Sequence, residues 1–590
     1  MNELPELLAP AGSPEALQAA IEGGANAAYF GGKSANARNS AKNFSDGEIL
    51  WAIEQLHKNH MRSYITLNTL LTDRELPEAL EFAELCHNGG ADAFIVADLG
   101  LARLLKERFP KTALHASTQA AGHNTDSAKK FFELGFSRVV AARELDCENL
   151  KYLIGHSPIE IELFVHGALC CSHSGRCHMS LALGGSRSAN RGSCAQPCRQ
   201  RYDTTQNGGY ALSLKDLCLA GHIKEILELS PASLKIEGRM KPPEYVYNVC
   251  KIYRKCIDER RDATPSELGF LSGVFSRQGF TDGYFAKKLG AHMFGVRTEQ
   301  NIAESKKHAE SFAPAKKLPE QIPQKTATPV AKSQIILEKT KNIKINPKLC
   351  LIFASSGQYL QVADFIQSDE IQNKIYRIFL PLGDFASVPE RHKNLLGARL
   401  PYVIFDSEKE AVANTLKKAG ARSVLVDNIG HIDLSAGLGL EMFGDFGLNV
   451  TNSRALAEYK KMGLENMILS PELNFAQIRD MSKTANCGIC AYGKTPVMIL
   501  ENNIPGSDSC LTDKTGAKFL VGREGNRSIL YNNVPVYLAD KKELYKGLGL
   551  FFVALNFTDE TPEQIKKIIS DYAQNRPGIQ PPKKFTRGRR

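Results

Sequence analysis

Five of the fourteen cysteines lie close together in residues 162–202, a segment that also holds glycine, serine, arginine and proline. They are Cys170, Cys171, Cys177, Cys194 and Cys198, and without Cys171 the spacing is C-x6-C-x16-C-x3-C. Several thiols in a polar, glycine-broken segment are typical of ligands that converge on one centre, and all-thiolate sites favour an iron–sulfur cluster or zinc. Structural zinc usually takes thiols in pairs about two to four residues apart, and only Cys194 and Cys198 form such a pair. The spacing therefore favours an iron–sulfur cluster.

The residues around these cysteines resemble the signature of the peptidase U32 (collagenase-like) family. The first block of the resemblance is Glu162-x-Phe164-x-x-Gly167-Ala168-Leu169-Cys170, followed by Gly175-x-Cys177-x-Met179-Ser180. The second block is residues 190–199, NRGSCAQPCR, and the resemblance extends over roughly residues 4–300.

Much of that family is implicated in oxygen-independent hydroxylation of tRNA wobble uridine, of a 23S rRNA cytidine or of ubiquinone precursors. Its members resemble one another in binding a [4Fe–4S] cluster through four cysteines, and the RNA branches depend on prephenate. The resemblance implies that Cys170, Cys177, Cys194 and Cys198 are the cluster ligands. Cys171 is an additional thiol, and its position leaves the first ligand ambiguous between Cys170 and Cys171.

Short apolar segments alternate with amphipathic helical segments through the first half of the chain. The predicted strands are 6–9, 27–30, 63–67, 93–97, 113–116, 138–141, 160–165 and 233–236. Eight β/α units favour an α/β fold with a TIM-barrel-like (β/α)8 domain that carries a Cys-rich insertion. An open, doubly wound sheet is the alternative, because the pattern alone does not establish closure.

In a barrel, the polar residues that follow the strands share the rim at which barrel enzymes place their chemistry. Among those residues we predict catalytic roles for His115, Glu144, His166 and Arg239. We predict substrate-binding roles for Gln119, Arg143, Lys235 and Arg239. The alternative is that these groups satisfy loop backbone or form salt bridges with one another.

Two groups of cations have two interpretations each. Lys235, Arg239 and Lys241 suit a dicarboxylate such as prephenate, or else they pair with Glu237 and Glu244. Five arginines in the cysteine segment either contact phosphate or offset the negative charge of a thiolate-bound cluster, and the second interpretation requires no partner.

The predicted domains are a catalytic domain at 1–300, a linker at 301–345 rich in Lys, Pro, Gln and Thr, an α/β domain at 346–575 and a basic tail at 576–590. Residues 444–474 resemble residues 114–146, so we interpret the second domain as a degenerate repeat of the first. Its predicted strands include 349–353, 376–380, 401–405, 423–426, 441–443 and 467–469. Cys487, Cys490 and Cys510 are either structural residues or part of a second metal site, and composition favours the former.

At 590 residues, with 43% hydrophobic and 23% charged residues, the chain has the composition of a multidomain globular protein. It has neither a basic leader followed by an apolar run nor an apolar stretch of about 20 residues, so we expect a cytoplasmic protein with no membrane partner. Its net charge of +10 is compatible with an RNA partner.

The sequence and the resemblance together predict an iron–sulfur enzyme for prephenate-dependent hydroxylation of RNA, either 23S rRNA or tRNA. Further expected partners are iron–sulfur assembly factors and an electron donor. One alternative is a collagenase-like peptidase, which would have to use Cys171 with His166 or His173 because H-E-x-x-H and G-x-S-x-G are absent from the sequence. Others are a non-catalytic RNA-binding or ribosome-binding protein with structural zinc, and hydroxylation of a quinone precursor.

Overall fold

Two closed eight-stranded parallel barrels make up most of the protein. The structure is a computed structural model that describes residues 4–33, 35–38, 42–183, 187–204, 208–310, 322, 342–385, 387–506, 509–574, 579 and 581–589. In the first barrel the strand Ser233–Ile236 pairs with both Glu6–Pro10 and Glu160–Ala168, which closes the sheet. The predicted TIM-barrel-like fold is confirmed, and the open doubly wound sheet is excluded.

All eight strands predicted for the first barrel are present. They are Glu6–Pro10, Ala27–Phe30, Arg62–Leu67, Ala93–Val96, Ala113–Ala116, Arg138–Val140, Glu160–Ala168 and Ser233–Ile236. The helices packed around them are Pro14–Glu22, Asp46–Lys58, Leu76–Asn88, Leu99–Arg108, Thr125–Glu133, Cys147–His156, Ile223–Leu229 and Pro243–Asp258. Polar residues at several strand ends begin the next helix; Asp98, for example, accepts a hydrogen bond from the backbone nitrogen of Leu101.

The second barrel repeats this order. Its strands are Lys348–Ile352, Ile375–Pro381, Leu396–Arg399, Ser423–Val426, Glu441–Gly444, Asn466–Ile468, Asn486–Gly493 and Phe552–Asn556. Its helices are Ser356–Leu360, Ala363–Ile366, Asp369–Gln372, Leu382–Phe385, Asp406–Ala419, Ile432–Gly437, Ser453–Lys461, Phe475–Asp480, Lys542–Lys546 and Pro562–Ala573.

The predicted strand at 401–405 is wrong, because the third strand of the second barrel is Leu396–Arg399. The apolar run that suggested a strand is buried for a different reason. Val403 and Ile404 are buried, and the first barrel contacts this segment: the side-chain amide of Asn124 donates a hydrogen bond to the carbonyl oxygen of Ile404.

A six-stranded antiparallel sheet joins the two halves of the chain. Its strands, in spatial order, are Pro496–Leu500, Arg527–Tyr531, Lys518–Glu524, Cys510–Asp513, Tyr202–Asp203 and Gly208–Gly209. Its last two strands follow the cysteine segment directly, and its first strand contacts that segment. The backbone nitrogens of His173 and His178 donate to the carbonyl oxygens of Ile499 and Val497 at 2.6 and 2.8 Å.

The remaining elements include the helices Met179–Ala182, Pro265–Val274 and Glu299–Glu310 and the short strands Asp216–Cys218, Phe280–Thr281 and Val536–Tyr537. Most of the predicted linker, residues 311–321 and 323–341, lies outside the described residues, and so do 575–578, 580 and 590 near the predicted basic tail. Where the tail is described, Arg587 forms an ion pair with Asp540. No helix in the described ranges has the length and apolar character needed to cross a membrane.

The barrels meet through matching residues, as a repeat predicts. Asn124 caps the helix Thr125–Glu133, and Asn452 caps Ser453–Lys461 at the equivalent place. The side-chain amide of each reaches a carbonyl oxygen of the opposite barrel, Ile404 at 2.8 Å for Asn124 and Leu71 at 2.9 Å for Asn452. The predicted repeat is therefore present, and its two copies pack with nearly two-fold symmetry.

Candidate active site at the mouth of the first barrel

The interior of the first barrel is charged. The ammonium group of Lys235 lies 2.7 Å from Glu162 Oε1, and Arg138 lies 3.2 Å from Glu162 Oε2. Burial acts to raise the pKa of Glu162, but Lys235 and Arg138 outweigh it and lower the pKa to about 2. Burial, followed by the charge on Arg138, lowers the pKa of His115 to about 3. Glu162 is therefore ionised and His115 neutral near pH 7.

The interior of the second barrel has lost these charges. Strand register places Ala554 at the position equivalent to Lys235 and Gly488 at that of Glu162. The ring of Phe552 occupies the space beside Gly488, where a Cβ atom would lie 2.2 Å from it. The equivalent of His115 is Phe443. The two barrels therefore share their architecture, but among the described residues only the first has these charged side chains in its interior.

Glu237 lies where the last strand of the first barrel ends and binds two arginines. Its carboxylate oxygens lie 3.1 Å from Arg38 and 2.9 Å from Arg143. Burial acts to raise the pKa of Glu237, whereas Arg38 and then Arg143 lower it, with a net value of about 2. The guanidinium group of Arg143 also stacks over the ring of Phe164 at 4.1 Å. Neither arginine is free to move independently of this carboxylate.

Arg239 is buried among neutral partners. Its terminal nitrogens donate to Thr66 at 3.1 Å and to Asn43 at 2.6 Å, with a longer contact of 3.4 Å to Asn36. Burial lowers the pKa of Arg239 to about 10, so it still carries its charge near pH 7. Gly31 allows this approach, since a Cβ atom there would lie 2.3 Å from the hydroxyl oxygen of Thr66. A buried cation held by neutral groups is suited to an anionic ligand.

The five cysteines of the insertion interact with one another: Cys171 and Cys177 are buried, and Cys170, Cys194 and Cys198 are half-buried. Burial, and then the charges of Cys198 and Cys194, raise the pKa of Cys170 to about 12, and Cys170 and Cys194 also raise that of the buried Cys177. Cys171 is the largest cause of the lowered pKa of Cys198. Together with Arg199 and Arg277 it brings that pKa to about 6 against the effect of burial. Converging thiols beside positive side chains fit the donor set of an iron–sulfur cluster.

The cysteine neighbourhood adjoins the mouth residues. The charge of Arg143 lowers the pKa of Cys170 against the larger effect of burial, and Cys194 contributes to the raised pKa of Arg38, whose main cause is Glu237. Arg143, Lys235 and Arg239 are thus brought together around Glu237, and Cys170 and Cys194 are close enough for their charges to act on the arginines that bind it.

The other predicted site residues lie in different surroundings. His166 is packed against the rings of Tyr245, Tyr253 and Phe280, and its Nδ1 atom is 3.3 Å from the hydroxyl of Tyr253. Gln119 lies in a 3-10 turn, and its backbone carbonyl oxygen packs against Gly175. Glu144 is buried and accepts hydrogen bonds from the backbone nitrogen and hydroxyl of Ser174.

The cysteines of the second barrel are distributed over separate structural positions. Cys487 and Cys490 are three residues apart on the strand Asn486–Gly493, so their side chains point to opposite faces. The amide of Asn556 contacts the sulfur of Cys490 at 3.5 Å, and Cys510 belongs to the six-stranded sheet.

Sequence reasoning missed Asn36, Arg38 and Asn43, which hold Arg239 and Glu237. They lie in the loop after the strand Ala27–Phe30. A signal was available, because this loop begins with a Gly-Gly pair at a strand end and contains three Asn and three basic residues.

A cleft of about 370 Å³ opens beside the cysteine segment. Lys33, Arg191 and Arg589 contribute cations to its wall, and Ser193 places it next to Cys194. Arg191 is paired with Glu75 at 2.5 Å. Glu75 and Glu78 also line the cleft, so its wall carries three cations and two carboxylates beside the thiols.

Residues 12–294 match the model of peptidase family U32. The chain is 36% identical over 281 residues to the 23S rRNA 5-hydroxycytidine C2501 synthase of Escherichia coli, covering 46% of this chain and 42% of the synthase. It is 36% identical over 271 residues to tRNA hydroxylation protein P1 of Bacillus subtilis, covering 44% of this chain and 64% of that protein. It is 34% identical over 329 residues to a collagenase of Porphyromonas gingivalis, covering 50% of this chain and 78% of the collagenase. The chain belongs to peptidase family U32.

Proposed function

We propose that this protein hydroxylates RNA, with a [4Fe–4S] cluster held by Cys170, Cys177, Cys194 and Cys198. The observation that carries the proposal is the convergence of these thiols at the mouth of a charged barrel, in the region that is similar to two proteins named for RNA hydroxylation. The cluster would supply redox or Lewis-acid chemistry at that mouth.

The residues of the mouth suit an anionic co-substrate. Arg239 is buried with neutral partners, and an incoming carboxylate would give it the counter-charge that Asn36, Asn43 and Thr66 do not provide. We propose that prephenate binds there as the co-substrate. Arg38 and Arg143 orient Glu237 beside it, and Lys235 is fixed by Glu162 in the barrel below.

The cleft beside Cys194 suits the RNA backbone. Lys33, Arg191 and Arg589 line it, and such cations contact phosphates without reading sequence. A nucleotide adjacent to the bound phosphates would lie close to the cysteine segment, because Arg191 and Ser193 belong to both.

Complementation of an E. coli strain that lacks the 23S rRNA 5-hydroxycytidine C2501 synthase tests the reaction. Wild type should restore 5-hydroxycytidine, measured by mass spectrometry of digested 23S rRNA, and Arg239→Gln should restore less than a tenth of that level. A second E. coli strain, which lacks the tRNA hydroxylation protein, is complemented in parallel. Hydroxyuridine in its tRNA is measured by the same method. Restoration of neither modification, with soluble protein and a full complement of iron and sulfide, would contradict the proposal.

A peptidase is the second candidate, favoured by the match to a collagenase. The thiol it would need is engaged: Cys171 interacts with Cys198, and it donates a weak hydrogen bond to the sulfur of Met498 at 3.9 Å. Collagen or gelatin cleavage by the wild-type protein, abolished in Cys171→Ser with the metal content unchanged, would favour the peptidase over RNA hydroxylation. Zinc without sulfide in the anoxically purified protein would instead favour a zinc-stabilised binding protein.

A further inference from the structure

Three buried side chains that are not thiols converge beside the cysteines. His123 follows the fifth strand of the first barrel, Glu144 follows the sixth, and His173 comes from the cysteine segment itself. One ligand atom of each lies within 4.8 Å of the other two. His173 Nδ1 is 3.8 Å from Glu144 Oε1. All three residues are at most 3% exposed to solvent.

Three buried ring nitrogens in this group have no hydrogen-bond partner within the described parts of the chain: His123 Nε2 and both nitrogens of His173. A buried polar atom without a partner costs about 1–3 kcal/mol, so unpartnered nitrogens gathered around one carboxylate indicate a ligand between them. We propose that His123, Glu144 and His173 bind one divalent transition-metal ion, zinc or iron(II), at a site distinct from the cysteine centre.

The surroundings orient each ligand as metal sites require. His123 Nδ1 lies 2.9 Å from the carbonyl oxygen of Ala121 and 3.1 Å from the side-chain amide nitrogen of Asn428. In the tautomer whose Nδ1 donates to Ala121, Nε2 has the lone pair that a metal ion requires. His173 Nε2 lies 3.0 Å from Glu501 Oε2, a distance that suits a hydrogen bond although the angle does not. Such carbonyl and carboxylate partners are typical of the outer contacts of metal-binding histidines.

The donor set selects the class of metal. Two imidazoles and one carboxylate with further positions open are typical of catalytic zinc and of non-haem iron(II), whereas calcium and magnesium prefer oxygen ligands throughout. Ser174 holds the carboxylate through its backbone nitrogen and hydroxyl, so the third ligand is also fixed.

The equivalent positions of the second barrel do not form the same three-residue group. The position equivalent to Glu144 is Glu472, which lies 3.4 Å from His178 of the cysteine segment. The position equivalent to His123 is Thr451, whose hydroxyl donates to the carbonyl oxygen of Leu71. The second barrel thus retains a glutamate–histidine contact and lacks the third ligand.

Metal analysis of the full-length protein, purified without oxygen, tests the proposal independently of the RNA reaction. We expect one zinc or one iron per chain beyond the iron that is matched by acid-labile sulfide. Glu144→Gln and His123→Asn should each lower this excess below a tenth of a metal ion per chain. Glu501→Gln should weaken the affinity for this metal ion by about 10- to 100-fold. The control His431→Asn alters a fully buried histidine of the second barrel and should leave the excess unchanged.

Cobalt(II) alone supplies a second readout. After chelation, the wild-type protein should take up one Co²⁺ with ligand-field absorption, and zinc should displace it. Circular dichroism establishes which variants are folded, and if Glu144→Gln is unfolded, His123→Asn decides the outcome. Absence of both excess metal and the cobalt spectrum from the wild type would overturn the site, and so would unchanged metal content in either folded ligand variant.

Discussion

Replacing Glu162 by Gln should destabilise the first barrel by an amount that depends on pH in a defined way. Glu162 is fully buried and neutralises Lys235 and Arg138. Its pKa is lowered from 4.5 to about 2 in the folded protein. At about 1.4 kcal/mol per pKa unit, that shift corresponds to roughly 3 kcal/mol. Breaking a buried ion pair by removing one partner typically costs about 3–5 kcal/mol, which agrees.

The direction with pH follows from the lowered pKa. A carboxyl group whose pKa is lower in the folded than in the unfolded state stabilises the fold above its unfolded pKa and loses that contribution as the pH falls through the folded value. The difference between wild type and Glu162→Gln should therefore be about 3 kcal/mol at pH 7, about half of that near pH 3, and close to zero below pH 2.

Trp51 provides the assay. It is the single tryptophan, and it is buried in the helix Asp46–Lys58 of the first barrel, so its fluorescence follows that barrel during urea unfolding. Glu160→Gln is the matched control, because Glu160 contacts the same Arg138 at 2.7 Å but its side chain is 53% exposed. The control should change the unfolding free energy by less than about 1 kcal/mol. Equal losses for the two variants at pH 7, or a Glu162 effect independent of pH, would refute the reasoning.

Three further outcomes are expected. Cys194→Ala should lose iron and acid-labile sulfide together, as measured by metal and sulfide analysis. Cys490→Ala in the second barrel should keep both. Loss in both variants would contradict a single cluster in the insertion. Gly167→Ala and Gly493→Ala each place a Cβ within 2.4 Å of a carbonyl oxygen at a positive φ. Each should cost at least about 1–3 kcal/mol in thermal unfolding, but only Gly167→Ala should reduce RNA hydroxylation, by tenfold or more. Lys33→Ala should weaken RNA binding and make the slope of log affinity against log salt shallower by about one, measured by fluorescence anisotropy; an unchanged slope would remove the cleft from the RNA path.

The first barrel was predictable because each strand is a short apolar run followed by a polar residue that begins a turn or helix. Ala27–Phe30 and Ser233–Ile236 have the predicted bounds. In the second barrel the same reasoning placed a strand at 401–405, because burial at an interface between domains leaves the same apolar pattern as burial in a sheet. The strand Phe552–Asn556 was not predicted, although its residues are fully buried.

Contacts between distant segments were beyond prediction. The strand Tyr202–Asp203 pairs with Cys510–Asp513, although seven of the eight strands of the second barrel lie between them in the sequence. At the candidate site, spacing drew attention to the cysteine segment, and strand ends drew attention to Arg143, Lys235 and Arg239, whose roles stay predictions. Neither could indicate that Glu237 would be bound by Arg38, because this contact depends on how a long loop folds back over the barrel mouth.

The second barrel has a structural role that explains why it persists without a charged interior. The cysteine segment is largely irregular and buried, so its backbone and side-chain polar groups need partners that the first barrel alone does not provide. The second half supplies them: Asp427 pairs with the buried Arg176, and Glu472 accepts a hydrogen bond from Asn190 at 3.0 Å. Glu144 holds Ser174 from the opposite side. Two equivalent glutamates of the repeat therefore clamp one segment between them, which fixes the thiols while the polar interior of the first barrel remains available for chemistry.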